Sequence, residues 1–326
     1  LGGTNVVPCA NGTDALQISL MALDLKEGDE VILPVHTYVA TAEVIALLNL
    51  TPVFVDVDPD YFTIDVRQIE NKITDKTKAI VPVHLYGQCA DMEPLMEIAK
   101  KYNLYVIEDT AQAIGAKYTF SNGKEVIAGT IGHIGTTSFF PSKNLGCYGD
   151  GGALFTNDDD LAEKCRMIAN HGQSKKYHHD IIGCNSRLDT LQAAILDVKL
   201  KYLDSYSQAR QKAAKYYDDR LKDIPVIKTP KVSDRSTHVY HQYTIVLDES
   251  VDRDQLKDYL KDKGIPSMIY YPVPLHRQKA YQENNRGESF PVTEKLSGTV
   301  LSLPVHTEIT QEEQEFVVNS IIDYLK

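Results

Sequence analysis

From Val6 to about Phe155, short β-branched runs alternate with stretches of helical periodicity. That alternation predicts an α/β domain built on a largely parallel sheet. Val31-Ile32-Leu33, Pro52 to Val57, Lys78 to Val83 and Leu104 to Ile107 read as strands, and Ala42 to Leu48 and Met92 to Lys101 as helices. A first helix begins near Thr13 and carries Leu16, Leu20 and Leu23 on one face. Sheets of this kind bind ligands beyond the carboxyl ends of their strands, so the loops that leave the strands are where chemistry is expected.

Four of those loops carry candidates. In Thr136-Thr-Ser138-Phe-Phe-Pro-Ser-Lys143-Asn-Leu-Gly-Cys-Tyr-Gly-Asp-Gly-Gly152, one lysine stands between an apolar strand and a glycine-rich turn. It is either a loop lysine facing solvent or a desolvated amine able to attack a carbonyl. Asn11-Gly12-Thr13-Asp14 opens the first helix and is either a plain cap or a phosphate cradle with free N–H groups. Tyr38 leaves a strand and either fills core or stacks on a flat ring. Asp109 ends an otherwise buried strand and needs a cationic partner, either structural or a protonated ligand ring, with Gln112 three residues on.

The balance of 34 basic against 45 acidic residues, net −11, argues against a nucleic-acid footprint or an anionic membrane surface. Five cysteines without a C-x-x-C suggest neither a disulfide framework nor zinc, and point to a reducing cytoplasm. No apolar run approaches the length of a membrane span, and no signal peptide is evident. The chain opens at Leu1 and enters what reads as an interior strand almost at once, so further N-terminal residues are expected to belong to the protein.

Beyond Phe155, Asp158 to Ala169 reads as helix and His171 to Gly183 as a polar loop of binding length. His178 and His179 are adjacent and lack a companion ligand cluster, so no metal is expected. Asn185 to Asp189 cap a helix to about Leu200, and a long charged helix follows from about Asp204 to Lys222. The pattern changes near Ile224-Pro225, which divides the chain into a large domain, 1–203, and a smaller C-terminal domain, 204–326. Within the latter, His238 to Leu247 and Met268 to Tyr271 read as strands, Arg253 to Lys263 as an amphipathic helix, and Val317, Ile321, Tyr324 and Leu325 mark a face of the last helix.

Taken together, the loops ask for one ligand bearing a phosphate, a flat ring, a protonated ring nitrogen and a carbonyl. Pyridoxal 5′-phosphate (PLP) has all four. The motifs Asn11-Gly-Thr-Asp-Ala-Leu16, Asp109-Thr-Ala-Gln112, Ser138-Phe-Phe-Pro-Ser-Lys143 and Gly183-Cys-Asn-Ser-Arg-Leu-Asp189 resemble the DegT family of PLP-dependent sugar aminotransferases, of the aspartate aminotransferase fold (fold type I). The resemblance covers essentially the whole chain. Cys9 to Gln17, Leu85 to Asp91 and Tyr177-His-His resemble in particular the members acting on UDP-2-acetamido-2-deoxy-3-oxo-glucuronate in surface polysaccharide synthesis. Where that subgroup has histidine, this chain has Tyr270.

The resemblance implies Lys143 as Schiff-base lysine and proton shuttle and Asp109 on the pyridine nitrogen. Gln112 would meet the ring hydroxyl, and Tyr38 would stack on the ring. Gly12, Thr13, Asp14 and Ser138 would surround the phosphate, with Thr13 and Asp14 donating backbone N–H groups. Asn185 would reach the cofactor phosphate of a partner subunit, and Arg187 and Tyr271 the nucleotide-sugar. It further implies glutamate as amino donor and a homodimer with shared sites. A dTDP-linked 3-oxo or 4-oxo 6-deoxy sugar is the alternative acceptor, and a regulatory protein without catalysis the alternative class.

Overall fold

The computed structural model describes residues 4–283 and 285–326. Seven strands form the central sheet: β1 (Asn5–Cys9), β2 (Glu30–Pro34), β3 (Thr51–Val55), β4 (Thr77–Ile80), β5 (Tyr105–Asp109), and two more that follow the hairpin β6 (Lys117–Thr119) and β7 (Glu125–Ile127), namely β8 (Ile134–Ser138) and β9 (Gly152–Thr156). Their order is β1-β9-β8-β5-β4-β2-β3, parallel except for β9, which runs antiparallel to both neighbours. The α/β reading therefore holds. The hairpin was legible at Asn122-Gly123, a turn dipeptide between the two strands, but the alternation rule passes over it.

Helices α1 (Gly12–Ala22), α2 (Ala40–Leu47), α3 (Val66–Ile69), α4 (Met92–Tyr102) and α5 (Asp159–Ala169) belong to this part of the chain. Strand residues alternate between faces. In β2, Val31 and Leu33 pack with Leu16, Leu20 and Leu23 of the first helical stretch, while Ile32 joins Met92 and Leu95 of α4 on the other side. Each such leucine removed from water contributes roughly 1.5–3 kcal/mol.

Past β9 come the exposed hairpin β10 (Gln173–Lys175) and β11 (His178–His179), then α6 (Thr190–Leu200) and α7 (Leu203–Leu221). Strands β12 (Ile227–Lys228), β13 (Tyr243–Leu247) and β14 (Val300–Leu303) form a second, antiparallel sheet. It shares a core with α7, α8 (Arg253–Asp262) and α10 (Gln311–Tyr324), in which Tyr217, Leu256, Leu260, Val318 and Ile321 are buried. The stretch between α8 and β14 behaves differently. Leu275, Tyr281 and Phe290 enter the core of the large sheet beside Phe54. There the Asp56 carboxylate caps α9 (Pro291–Thr299), accepting from Val292 N–H and Thr293 N–H at 2.9 Å each.

Only Tyr243–Leu247 of the expected strand His238–Leu247 is a strand. Tyr240 adopts φ 45°, and the groups of 238–242 are taken up elsewhere: Val239 N–H by Gly87 O, Val239 O by the Asn144 amide, and the Tyr240 and His241 carbonyls by Arg210. Met268 to Tyr271 is likewise not a strand, and pairs only through an isolated bridge from Met268 to Ser302.

The end of β5 is locked by Glu108, which is completely buried. Its Oε1 accepts from Ile131 N–H (2.7 Å) and Gly132 N–H (2.6 Å), and its Oε2 from Gly129 N–H and His84 Nε2 (2.9 Å each). Ala90 N–H donates to His84 Nδ1, so the ring proton lies on Nε2, toward Glu108. A glutamine here would turn its NH2 toward two N–H donors in either orientation. Glu108→Gln is therefore expected to cost about 3 kcal/mol or more, measured as a fall in the denaturant midpoint. An unchanged midpoint would contradict this account of the strand end.

Candidate active site

The exits of β1, β2, β5 and β8 gather at one edge of the sheet. Asp109, at the end of β5, is 7% exposed. Its Oδ2 accepts from the Thr41 hydroxyl and its Oδ1 from Ala111 N–H, both at 3.0 Å. Thr41, in the first turn of α2, was not picked out by sequence, although it lies three residues after Tyr38. Gln112 is anchored at both ends, its Oε1 accepting from Tyr86 N–H at 2.7 Å and its Nε2 donating one hydrogen to the Tyr271 hydroxyl at 3.2 Å, which leaves the second Nε2 hydrogen for a ligand. The Tyr271 ring faces Tyr38 at 6.2 Å between centroids. Tyr38 itself does not fill core, since 58% of it is exposed.

Lys143 follows β8 on a turn closed by its own N–H to Phe140 O at 2.8 Å. Among the described residues its amine has no hydrogen-bond or ion-pair partner. Burial lowers its pKa, and the charge of Asp109 opposes that shift. The next residue, Asn144, is pinned by its amide to Val239 O (2.9 Å) and by its Oδ1 to His241 Nδ1 (3.2 Å). His241 is held well below the ordinary imidazole range chiefly by its burial, so it is a neutral neighbour of the lysine loop. No sequence signal marked it.

At the start of α1 a Cβ on Gly12 would lie 2.7 Å from the Ser138 Cβ, so only glycine lets β8 approach the helix so closely. The Asn11 side chain takes Asp14 N–H at 2.8 Å. The N–H groups of Gly12 and Thr13, which no helix can satisfy internally, are left without acceptors among the described residues. Ser138 Oγ accepts from Phe140 N–H at 3.2 Å and keeps its own hydrogen to donate. Asp14 thus differs from expectation: its N–H is spent on the cap, and its carboxylate accepts from Ser186 Oγ at 2.6 Å. Ser186 also accepts from Ala10 N–H at 2.9 Å and so ties 185–187 to the base of α1. Its neighbours Asn185 and Arg187 are exposed and, among the described residues, form no hydrogen bond or ion pair with Asp109, Gln112 or Lys143.

One edge thus holds a glycine-made cradle with two free N–H groups and a hydroxyl, a carboxylate fixed by two donors, and an unpaired amine of lowered pKa. These residues fit PLP: donors for its phosphate, a charge for its ring nitrogen and an amine for its aldehyde. Such a site on a mostly parallel sheet with one antiparallel strand defines a PLP-dependent enzyme of fold type I.

The model of the DegT/DnrJ/EryC1/StrS aminotransferase family matches residues 1–322. The chain belongs to that family. It is 50% identical over 323 residues to a pleiotropic regulatory protein of Geobacillus stearothermophilus, covering 98% of this chain and 85% of that one. It is 49% identical over 306 residues to the UDP-2-acetamido-2-deoxy-3-oxo-D-glucuronate aminotransferase of Pseudomonas aeruginosa, covering 94% and 82%. Among solved structures, NtdA of Bacillus subtilis with bound cofactor PMP superposes with a TM-score of 0.89 at 37% identity, covering 98% of this chain and 72% of that one.

Proposed function

We propose that this aminotransferase works in the cytoplasm, moving an amino group from glutamate to the 3-oxo position of a UDP-linked sugar, 2-acetamido-2-deoxy-3-oxo-glucuronate, whose product goes to a surface polysaccharide. The observation that carries the catalytic assignment is the unpaired Lys143 amine, its pKa lowered by burial, on the same sheet edge as the doubly held Asp109 carboxylate. The Pseudomonas relative supports the acceptor. Free cysteines, four of them buried, suit a reducing compartment, and among the described residues no helix is long and apolar enough to cross a membrane.

Bound PLP supplies the electron sink on which nitrogen and carbonyl oxygen are exchanged. Gly12 and Thr13 N–H and the Ser138 hydroxyl hold its phosphate, Tyr38 covers the ring, Gln112 meets the ring hydroxyl, and Asp109 keeps the ring nitrogen protonated. Neutral Lys143 Nζ takes the proton from the carbon bearing the donor's amino group and returns one to the sugar carbon that receives it. Residues 1–203 supply these groups. Residues 204–326 form the smaller part, which sends Tyr271 into the site to meet the sugar.

The enzyme works as a homodimer. Helix α6 buries only Leu196, while Leu191 is 69% and Val198 58% exposed, an apolar face suited to a second copy. A two-fold contact there brings Asn185 to the partner's cofactor phosphate and Arg187 to the partner's nucleotide-sugar. Mixing inactive Lys143→Ala with inactive Arg187→Ala subunits is expected to restore activity through hybrid dimers with one intact site. Confirmed subunit exchange without recovery would refute the shared site.

Lys175, Lys176, His178 and His179 lie exposed on the β10–β11 hairpin and the turn joining its strands, where they supply a local positive field for the diphosphate on an acidic chain. The acceptor is tested by offering glutamate with the 3-oxo-uronate, its uncharged 6-hydroxy analogue and a dTDP-linked 4-oxo-6-deoxy sugar. The uronate is expected to be used best. Equal use of the first two removes the carboxylate from the assignment, in keeping with a tyrosine at 270 where the uronate subgroup has histidine, and preference for the third overturns the 3-oxo reading. A regulatory role, suggested by the name of the Geobacillus relative, predicts no turnover with any of them.

A further inference from the structure

Tyr86 lies at the node of this site, and none of the roles assigned so far uses its side chain. It occupies a single turn, Leu85–Gly87, beyond β4, at φ 60° and 2% exposed. Its N–H goes to Gln112 Oε1 (2.7 Å), its carbonyl accepts from Gln242 N–H (3.2 Å), and its phenol donates to the Tyr270 carbonyl. His36 Nε2 lies 3.2 Å from the same phenol oxygen. Because the phenol's one hydrogen is given to Tyr270, His36 Nε2 must be the donor of that pair. Burial holds the His36 pKa down at about 4, so the imidazole is neutral and its proton sits on that nitrogen. At Gly87 a Cβ would meet Tyr240 N at 2.8 Å, which fixes the turn against the strip 238–242.

One residue therefore hydrogen-bonds to four segments: the β2 exit two residues before Tyr38, Gln112 beyond β5, the strip beside the lysine loop, and the peptide preceding Tyr271. Tyr271 has no strand to place it, since its segment pairs with β14 only through the bridge at Met268. Its position rests on side chains: the Tyr86 phenol on the Tyr270 carbonyl, Gln112 on its hydroxyl, and the His36 ring, set edge-on with the ring centres 6.0 Å apart.

We propose that Tyr86 is a positioning residue for the acceptor half of the reaction, its phenol anchoring the Tyr270 carbonyl so that Tyr271 meets the sugar beside Gln112. This rests on the reading that Tyr271 contacts the acceptor. A phenylalanine at 86 keeps the backbone bond to Gln112 and the packing against Phe62, 5.3 Å between ring centres, but frees Tyr270. The donor half uses Lys143, Asp109 and Gln112, which the change leaves in place.

The test measures the two halves separately in wild-type, Tyr86→Phe and Tyr271→Phe holoenzymes. The donor half is read from the cofactor absorbance on adding glutamate alone, and the acceptor half from single turnovers of the amine-loaded enzyme with the acceptor that wild type uses best among the three sugars above. Tyr86→Phe is expected to lose about tenfold in kcat/KM for the acceptor, mainly through KM, as for one lost hydrogen bond, with the donor half within about twofold. Tyr271→Phe is expected to show the same pattern. Equal slowing of both halves in Tyr86→Phe would make its role structural and overturn the proposal, as would an unchanged acceptor half beside a slowed one in Tyr271→Phe. An unchanged acceptor half in Tyr271→Phe overturns the reading of Tyr271, and the proposal with it.

Discussion

Lys143→Ala is expected to retain PLP without covalent attachment and to lose turnover by about four orders of magnitude, the scale of a missing nucleophile and proton carrier together. The loop should survive the change, because it is closed by the backbone bond from residue 143 to Phe140 O and pinned through Asn144. The N–H groups of Gly12 and Thr13, the Ser138 hydroxyl and the carboxylate of Asp109 are also untouched. Borohydride reduction of wild type followed by peptide mapping should place the pyridoxyl group on Lys143 and leave the variant unlabelled. A label on another lysine would overturn the assignment.

Asp109→Asn is expected to fold and to bind cofactor, yet to raise the barrier by about 3–4 kcal/mol, the cost of losing one charge-stabilising group in a low-dielectric site. The geometry explains why the fold should tolerate it. Asparagine Oδ1 can keep the bond from Ala111 N–H, and its NH2 then meets the Thr41 hydroxyl, which can accept as readily as it donates. What is lost is charge. With it goes the pull that Asp109 exerts on Lys143, so the lysine pKa should fall further. Turnover near wild type would remove Asp109 from the mechanism.

Much of this site was legible before any coordinates. The alternation from Val6 to Phe155 specified the class of sheet, and because ligands sit at strand exits, Lys143, Asp109, Gln112, Tyr38 and Gly12 could be nominated from their places after strands. The helix cap was half read. Asn11 and Gly12 were correctly placed at the start of α1, but the sequence did not show that the Asn11 side chain would claim Asp14 N–H and move the free donors one residue back.

Local pattern determined the elements, since periodicity reports which face of a helix or strand is buried. It could not determine partners. Thr41 reaches Asp109 across 68 residues, Ser186 reaches Asp14 across 172, and Tyr270 meets Tyr86 across 184. Each of these bonds exists because a buried polar group must find a partner wherever the packed chain brings one. The same demand ended the strand expected at His238, whose backbone groups are drawn off by Gly87, Asn144 and Arg210 from three other segments. By itself the sequence determined the sheet, the exits and the reactive residue types. The tertiary structure decided which groups hold those residues in place, because burial makes hydrogen-bond satisfaction a property of the whole fold rather than of any stretch of it.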